Sequence, residues 1–204
     1  MKKFLVVMLL VLAATMAFAD TAQVTFLSNP NSPSVAGPYL FNIQPLSPSG
    51  PSFVQPLICW SDQNQVGGAT TTTWTANVYY GAGVPVPGPF NETLVQYEQI
   101  AYLAKELFAN PGNIDLQNAI WFAAGLFKGG SLSGAALTDY NDAVANASAS
   151  SLLGTVWYIP TNANPNDPLT PQPLVGFVPE PGSLILLGTG LVSAAGAIRR
   201  KLSI

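Results

Sequence analysis

The chain has 204 residues, of which 49% are hydrophobic and only 8% charged, with one cysteine and no histidine. The missing histidine removes the commonest general base and metal ligand, and with them every Ser–His or Cys–His nucleophilic pair. Between residues 20 and 179 only Lys105 and Lys128 are basic, against nine acids, so the surface repels phosphate backbones and nucleic acid is excluded as a partner.

The chain opens with Lys2 and Lys3, an unbroken apolar run over residues 4–14, and the small residues Ala17 and Ala19 on either side of Phe18. This order of basic, apolar and small residues predicts a signal peptide over residues 1–19, cut by signal peptidase before Asp20. The remainder is therefore expected to be exported.

Residues 20–87 read as strands. The stretches AQVTFL and PYLFNIQ alternate, PLICW is a short apolar run, and TTTTWTANVYY is rich in β-branched and aromatic residues. Prolines and glycines punctuate them. The character changes at PVPGP, residues 85–89. Asn91 is the predicted cap of a helix carrying Leu94, Tyr97, Ala101, Ala104 and Phe108 on one stripe, ended by Pro111 and Gly112. A second helix is predicted from Asp115 to Phe127, and a third from Ser133 to Ser150 with Ala136, Tyr140, Val144 and Ala147 on one face. GTVWYIP at 154–160 returns to strand. The order predicts an α+β domain over residues 20–160, a β-rich sandwich or barrel-like body with a helical insertion. Residues 161–178, rich in Pro and Asn, read as a linker.

The C-terminal stretch holds Pro179, Glu180 and Pro181, then no charge over residues 183–198, then Arg199, Arg200 and Lys201. An apolar span of this length beside a basic cluster predicts a transmembrane helix with its basic end in the cytoplasm. These three features in this order resemble the PEP-CTERM sorting signal of bacterial exported proteins. The resemblance implies that residues 179–204 are read by an exosortase-type sorting enzyme. It further implies that the C-terminal helix anchors the protein transiently in the inner membrane, before processing delivers it to the envelope or surface or releases it.

Cys59 has no partner for an internal disulfide, an awkward state for an exported chain. Gln117 is awkward too: the residues three, four and seven further on are Ile120, Trp121 and Ala124, so its amide points toward the core. A buried amide without partners costs about 1–3 kcal/mol. A cysteine sulfur attacking a glutamine carboxamide expels ammonia and leaves a thioester, which removes both difficulties. Ile58-Cys59-Trp60 followed by Gln117-Asn118-Ala119-Ile120-Trp121 resembles the two motifs of bacterial surface thioester domains. The resemblance implies Cys59 as thioester sulfur, Gln117 as acyl donor, Trp60, Ile120 and Trp121 as pocket walls, and an amine-bearing surface protein or glycan as partner. It needs no cofactor.

No metal site is expected. Zinc would depend on Cys59 with carboxylates alone, and Asp139 to Asp142 lacks the glycine and closing glutamate of a calcium loop. Asp62 reads as a strand-end turn residue. A hydrolase built on carboxylates such as Asp62 and Glu98 requires opposed environments at one cleft. The expected function is non-enzymatic: an exported surface protein that binds amines covalently. The alternative is a structural envelope or biofilm-matrix protein in which Cys59 and Gln117 are core residues.

Overall fold

Alternation along the first strands decides which face turns inward. In β1 (Thr21–Ser28) Ala22 and Val24 are buried; in β2 (Tyr39–Ser47) Tyr39, Phe41 and Ile43; in β4 (Thr73–Tyr80) Trp74, Ala76 and Val78. Val24 faces Ile43 on one side and Trp74 on the other, and Phe41 meets Trp74 edge to face at 5.9 Å. With β3 (Phe53–Cys59), β5 (Thr155–Pro160) and β6 (Leu174–Phe177), these strands close into an antiparallel barrel in the order β1-β2-β3-β6-β5-β4. This computed structural model describes residues 21–62, 73–164 and 170–178.

Three helices, α1 (Leu94–Ala109), α2 (Ile114–Ala123) and α3 (Gly134–Asn146), are inserted between β4 and β5. The expected α+β body is thus a closed six-stranded barrel with a helical insertion. β5 is buried at all six positions, as a strand between the barrel interior and the helices must be. The core between helices and barrel holds Ile58, Trp60, Tyr97, Ile100, Ile120, Trp157 and Val175. Trp60 lies edge-on to Tyr97 at 5.8 Å and to Trp157 at 6.3 Å, and Tyr97 to Trp157 at 5.0 Å.

Helix ends differ from expectation for local reasons. The cap of α1 is Thr93, not Asn91. Thr93 and Gln96 form a reciprocal capping box, whereas Asn91 takes a left-handed turn with φ 69° two residues earlier. The buried stripe of α1 runs through Tyr97, Ile100, Ala101, Ala104 and Leu107, leaving Leu94 exposed. α2 starts at its Asn113 cap and stops at Ala123, short of Phe127, and α3 stops at Asn146, short of Ser150. On α3 Ala136 and Ala143 are buried and Val144 is exposed, so its inward face is rotated from the expected one.

The larger correction concerns the linker. Residues 174–177, expected in the 161–178 spacer, form β6, paired with β3 and β5 and closing the barrel. Four residues behind Pro171 and Pro173 are too few to show a period, and the strand is buried on both faces. The body therefore continues to Phe177 rather than ending at 160. The expected signal peptide (1–19) and the expected transmembrane helix of the sorting segment (179–204) lie outside the described residues. Among the described residues no helix is long and apolar enough to cross a membrane.

Candidate functional site at Cys59 and Gln117

Cys59 is the last residue of β3 and pairs with Leu174 of β6, while Ile58 pairs with Val175. Successive residues of a strand face opposite sides. Ile58 and Val175 accordingly join the helix-side core, and Cys59 shares the face of Leu57 and Leu174. The Trp60 N–H continues the ladder to the Pro173 carbonyl at 3.2 Å. Both Cys59 and Gln117 are buried, at 1% and 0% exposure.

The Gln117 amide reaches from α2 to two other segments. Its Nε2 donates to the Cys59 carbonyl oxygen at 2.8 Å, and its Oε1 accepts from the Gly37 N–H at 3.0 Å. The amide is therefore not without partners; both are main-chain groups. Gly37 lies at the approach to β2. A Cβ there would stand 3.3 Å from Ile58 Cγ1 and 3.4 Å from Gln117 Oε1, so glycine permits the close approach.

The Tyr39 hydroxyl lies at the Cys59 sulfur and also donates to the Val35 carbonyl. The Trp121 indole N–H makes no hydrogen bond of ordinary geometry, yet it is close enough to the sulfur to favour the thiolate. Burial outweighs both neighbours and pushes the Cys59 thiol up to about 12, so the sulfur is protonated at neutral pH. Burial raises the Tyr39 phenol as well, with the sulfur adding to it.

A pocket of about 560 Å³ opens beside Cys59, bordered by Tyr39, Asp62, Asn118, Trp121 and Lys128. Asp62 pins its rim: Oδ2 accepts from the Lys128 main-chain N–H at 3.1 Å, and its own N–H donates to Leu126 O at 3.3 Å. Of the expected wall residues, Trp121 reaches this pocket. Trp60 and Ile120 belong to the helix-side core. Trp60 points away because it neighbours Cys59 along a strand. Gly37, Tyr39 and Lys128 were not legible as site residues. Gly37 read only as turn punctuation, Tyr39 only as one member of an alternating run.

A second buried polar cluster precedes α1. Glu92 is 1% exposed; its Oε2 accepts from the Phe90 N–H at 3.1 Å, while Glu92 Oε1 and the nearby Tyr97 hydroxyl have no hydrogen-bond partner. Burial pushes the Glu92 carboxyl up to about 7.

The PEP-CTERM protein-sorting motif matches residues 177–201, starting on the last residue of β6. That match holds Pro179, Glu180, Pro181, Arg199, Arg200 and Lys201, all outside the described residues. The motif marks an exported protein that is recognised by an exosortase and processed at the membrane. No curated protein and no solved structure matches the chain.

Proposed function

We propose that this exported protein captures amine-bearing partners, a surface protein or a glycan, through an internal thioester between Cys59 and Gln117. The observation that carries the reading is the 2.8 Å hydrogen bond that seats the Gln117 amide on Cys59 itself. The Cys59 sulfur attacks Gln117 Cδ, the thiol proton passes to the departing amide nitrogen, and ammonia leaves. Negative charge develops on Oε1, where the Gly37 N–H already donates at 3.0 Å. With a thiol pushed up to about 12 the step is slow, but it needs to occur once per molecule. The low exposure of both residues keeps water from the product. In this reading the protein is not an enzyme, a signal peptide over 1–19 directs export, and a transmembrane helix within 179–204 holds the chain until the tail is processed.

Intact mass tests the proposal. The full chain is expected to lack the mass of one ammonia, regained as one amine on treatment with methylamine and absent from Cys59→Ala. Full unmodified mass with no methylamine uptake overturns it. A specific observation favours a second reading, a structural envelope or matrix protein: the two main-chain hydrogen bonds of Gln117 tie α2 to β3 and to the approach to β2 without any chemistry. Full mass together with a sound fold supports that reading.

A further inference from the structure

We infer that the pocket beside Cys59 selects amines that carry their own carboxylate, the zwitterionic end of an amino acid, with Asp62 holding the ammonium and Lys128 and the Trp121 indole N–H holding the carboxylate. The inference rests on the thioester reading and deepens it. Trp121 is 8% exposed and borders the pocket, and its N–H has only the weakly accepting Cys59 sulfur nearby, with no hydrogen bond of ordinary geometry. A buried donor in that state calls for an acceptor from whatever enters.

The two charges at the rim are set by one another. The Asp62 carboxylate is hydrogen-bonded to the Lys128 main chain, so carboxylate and ammonium are separated by no more than one lysine side chain. Lys128 is exposed, and it is one of only two basic residues between 20 and 179. A simple cationic amine pairs with Asp62 but brings a second positive charge beside Lys128. An amine with an adjacent carboxylate satisfies Asp62, Lys128 and Trp121 together.

The capture step runs within these groups and releases one proton. The bound ammonium loses a first proton to Asp62, and its nitrogen lone pair forms a bond to Gln117 Cδ. The C–S bond breaks, the sulfur takes a second proton from the attacking nitrogen, and Asp62 passes the first to solvent. The products are a substituted amide at Gln117 and a free Cys59 thiol.

Glycine, glycinamide and methylamine, offered separately to the full chain, test this when adduct formation at Gln117 is followed by peptide mass and each rate is normalised to free amine. Glycine is expected to add about tenfold faster than the other two, the scale of one charge-assisted hydrogen bond. Lys128→Glu is expected to reverse the order, and Lys128→Arg to keep it. Equal rates, or a preference indifferent to Lys128→Glu, overturn the inference while methylamine uptake leaves the thioester standing. A Gln117–Lys128 cross-link in the untreated protein also overturns it, since Lys128 would then be the nucleophile. No uptake of any amine at full mass overturns the thioester and this inference with it.

Discussion

The side-chain amide of Gln117 donates to the main-chain carbonyl of Cys59 at 2.8 Å, across 58 positions of sequence. That bond joins the start of α2 to the end of β3, where β3 meets β6. With the Gly37 N–H on its other side, the amide holds three separate segments at one point.

Gln117→Leu therefore leaves the Gly37 N–H and the Cys59 carbonyl buried and unpaired. The expected loss of stability is about 2–5 kcal/mol. Cys59→Ala removes one atom from the same place and is expected to cost about 1 kcal/mol. Urea midpoints of the two variants measure the difference. Equal midpoints would show that the amide holds nothing together.

Glu92 gives stability a pH dependence of definite sign. Its carboxyl is pushed up to about 7 in the folded chain, against 4.5 for the unconstrained group. The folded state thus binds more protons between these values, and stability falls as pH rises from 4.5 through 7. A shift of this size corresponds to a loss on the order of 3 kcal/mol from this group. Glu92→Gln is expected to flatten that part of the stability curve. A variant with unchanged slope from pH 5 to pH 8 would assign the dependence elsewhere.

β6 completes the barrel, so truncation should divide sharply. A chain ending at Val178 keeps the ladder between β3 and β5; one ending at Pro173 loses Leu174 and Val175, both at 0% exposure. Limited proteolysis is expected to leave a resistant body in the first and none in the second. Equal resistance would show that the other five strands suffice.

Glu180→Ala tests the sorting assignment. With the recognition element removed and the apolar stretch unchanged, the variant is expected to accumulate unprocessed in the inner membrane. Normal processing and release would mean that Glu180 is not read.

Much of this architecture was visible in local patterns because those patterns were long enough to have a period. Val24 with Ala22, Phe41 with Ile43 and Trp74 with Ala76 alternate, and α1 carries sixteen residues of helical spacing. Leu174–Phe177 escaped because a four-residue strand behind prolines resembles a spacer, and only its partners on β3 and β5 reveal it. Cys59 and Gln117 stood out as chemically awkward residues, and the fold brings them together. Trp60 was misplaced because adjacency in sequence is separation across a strand. Gly37 and Lys128 could not be found from sequence, since each joins the site through its main chain: Gly37 as a donor to Gln117, Lys128 as a donor to Asp62.

Closure by β6 also sets the timing of folding during export. A chain crossing a membrane from its amino end delivers β1 to β5 first, and until residues 174–177 emerge, β3 and β5 present two open edges ready to pair with other chains. The sorting match begins on Phe177, the last residue of that strand, so a chain that stalls a few residues short of it lacks both the strand that closes the barrel and the start of the segment that marks it for sorting.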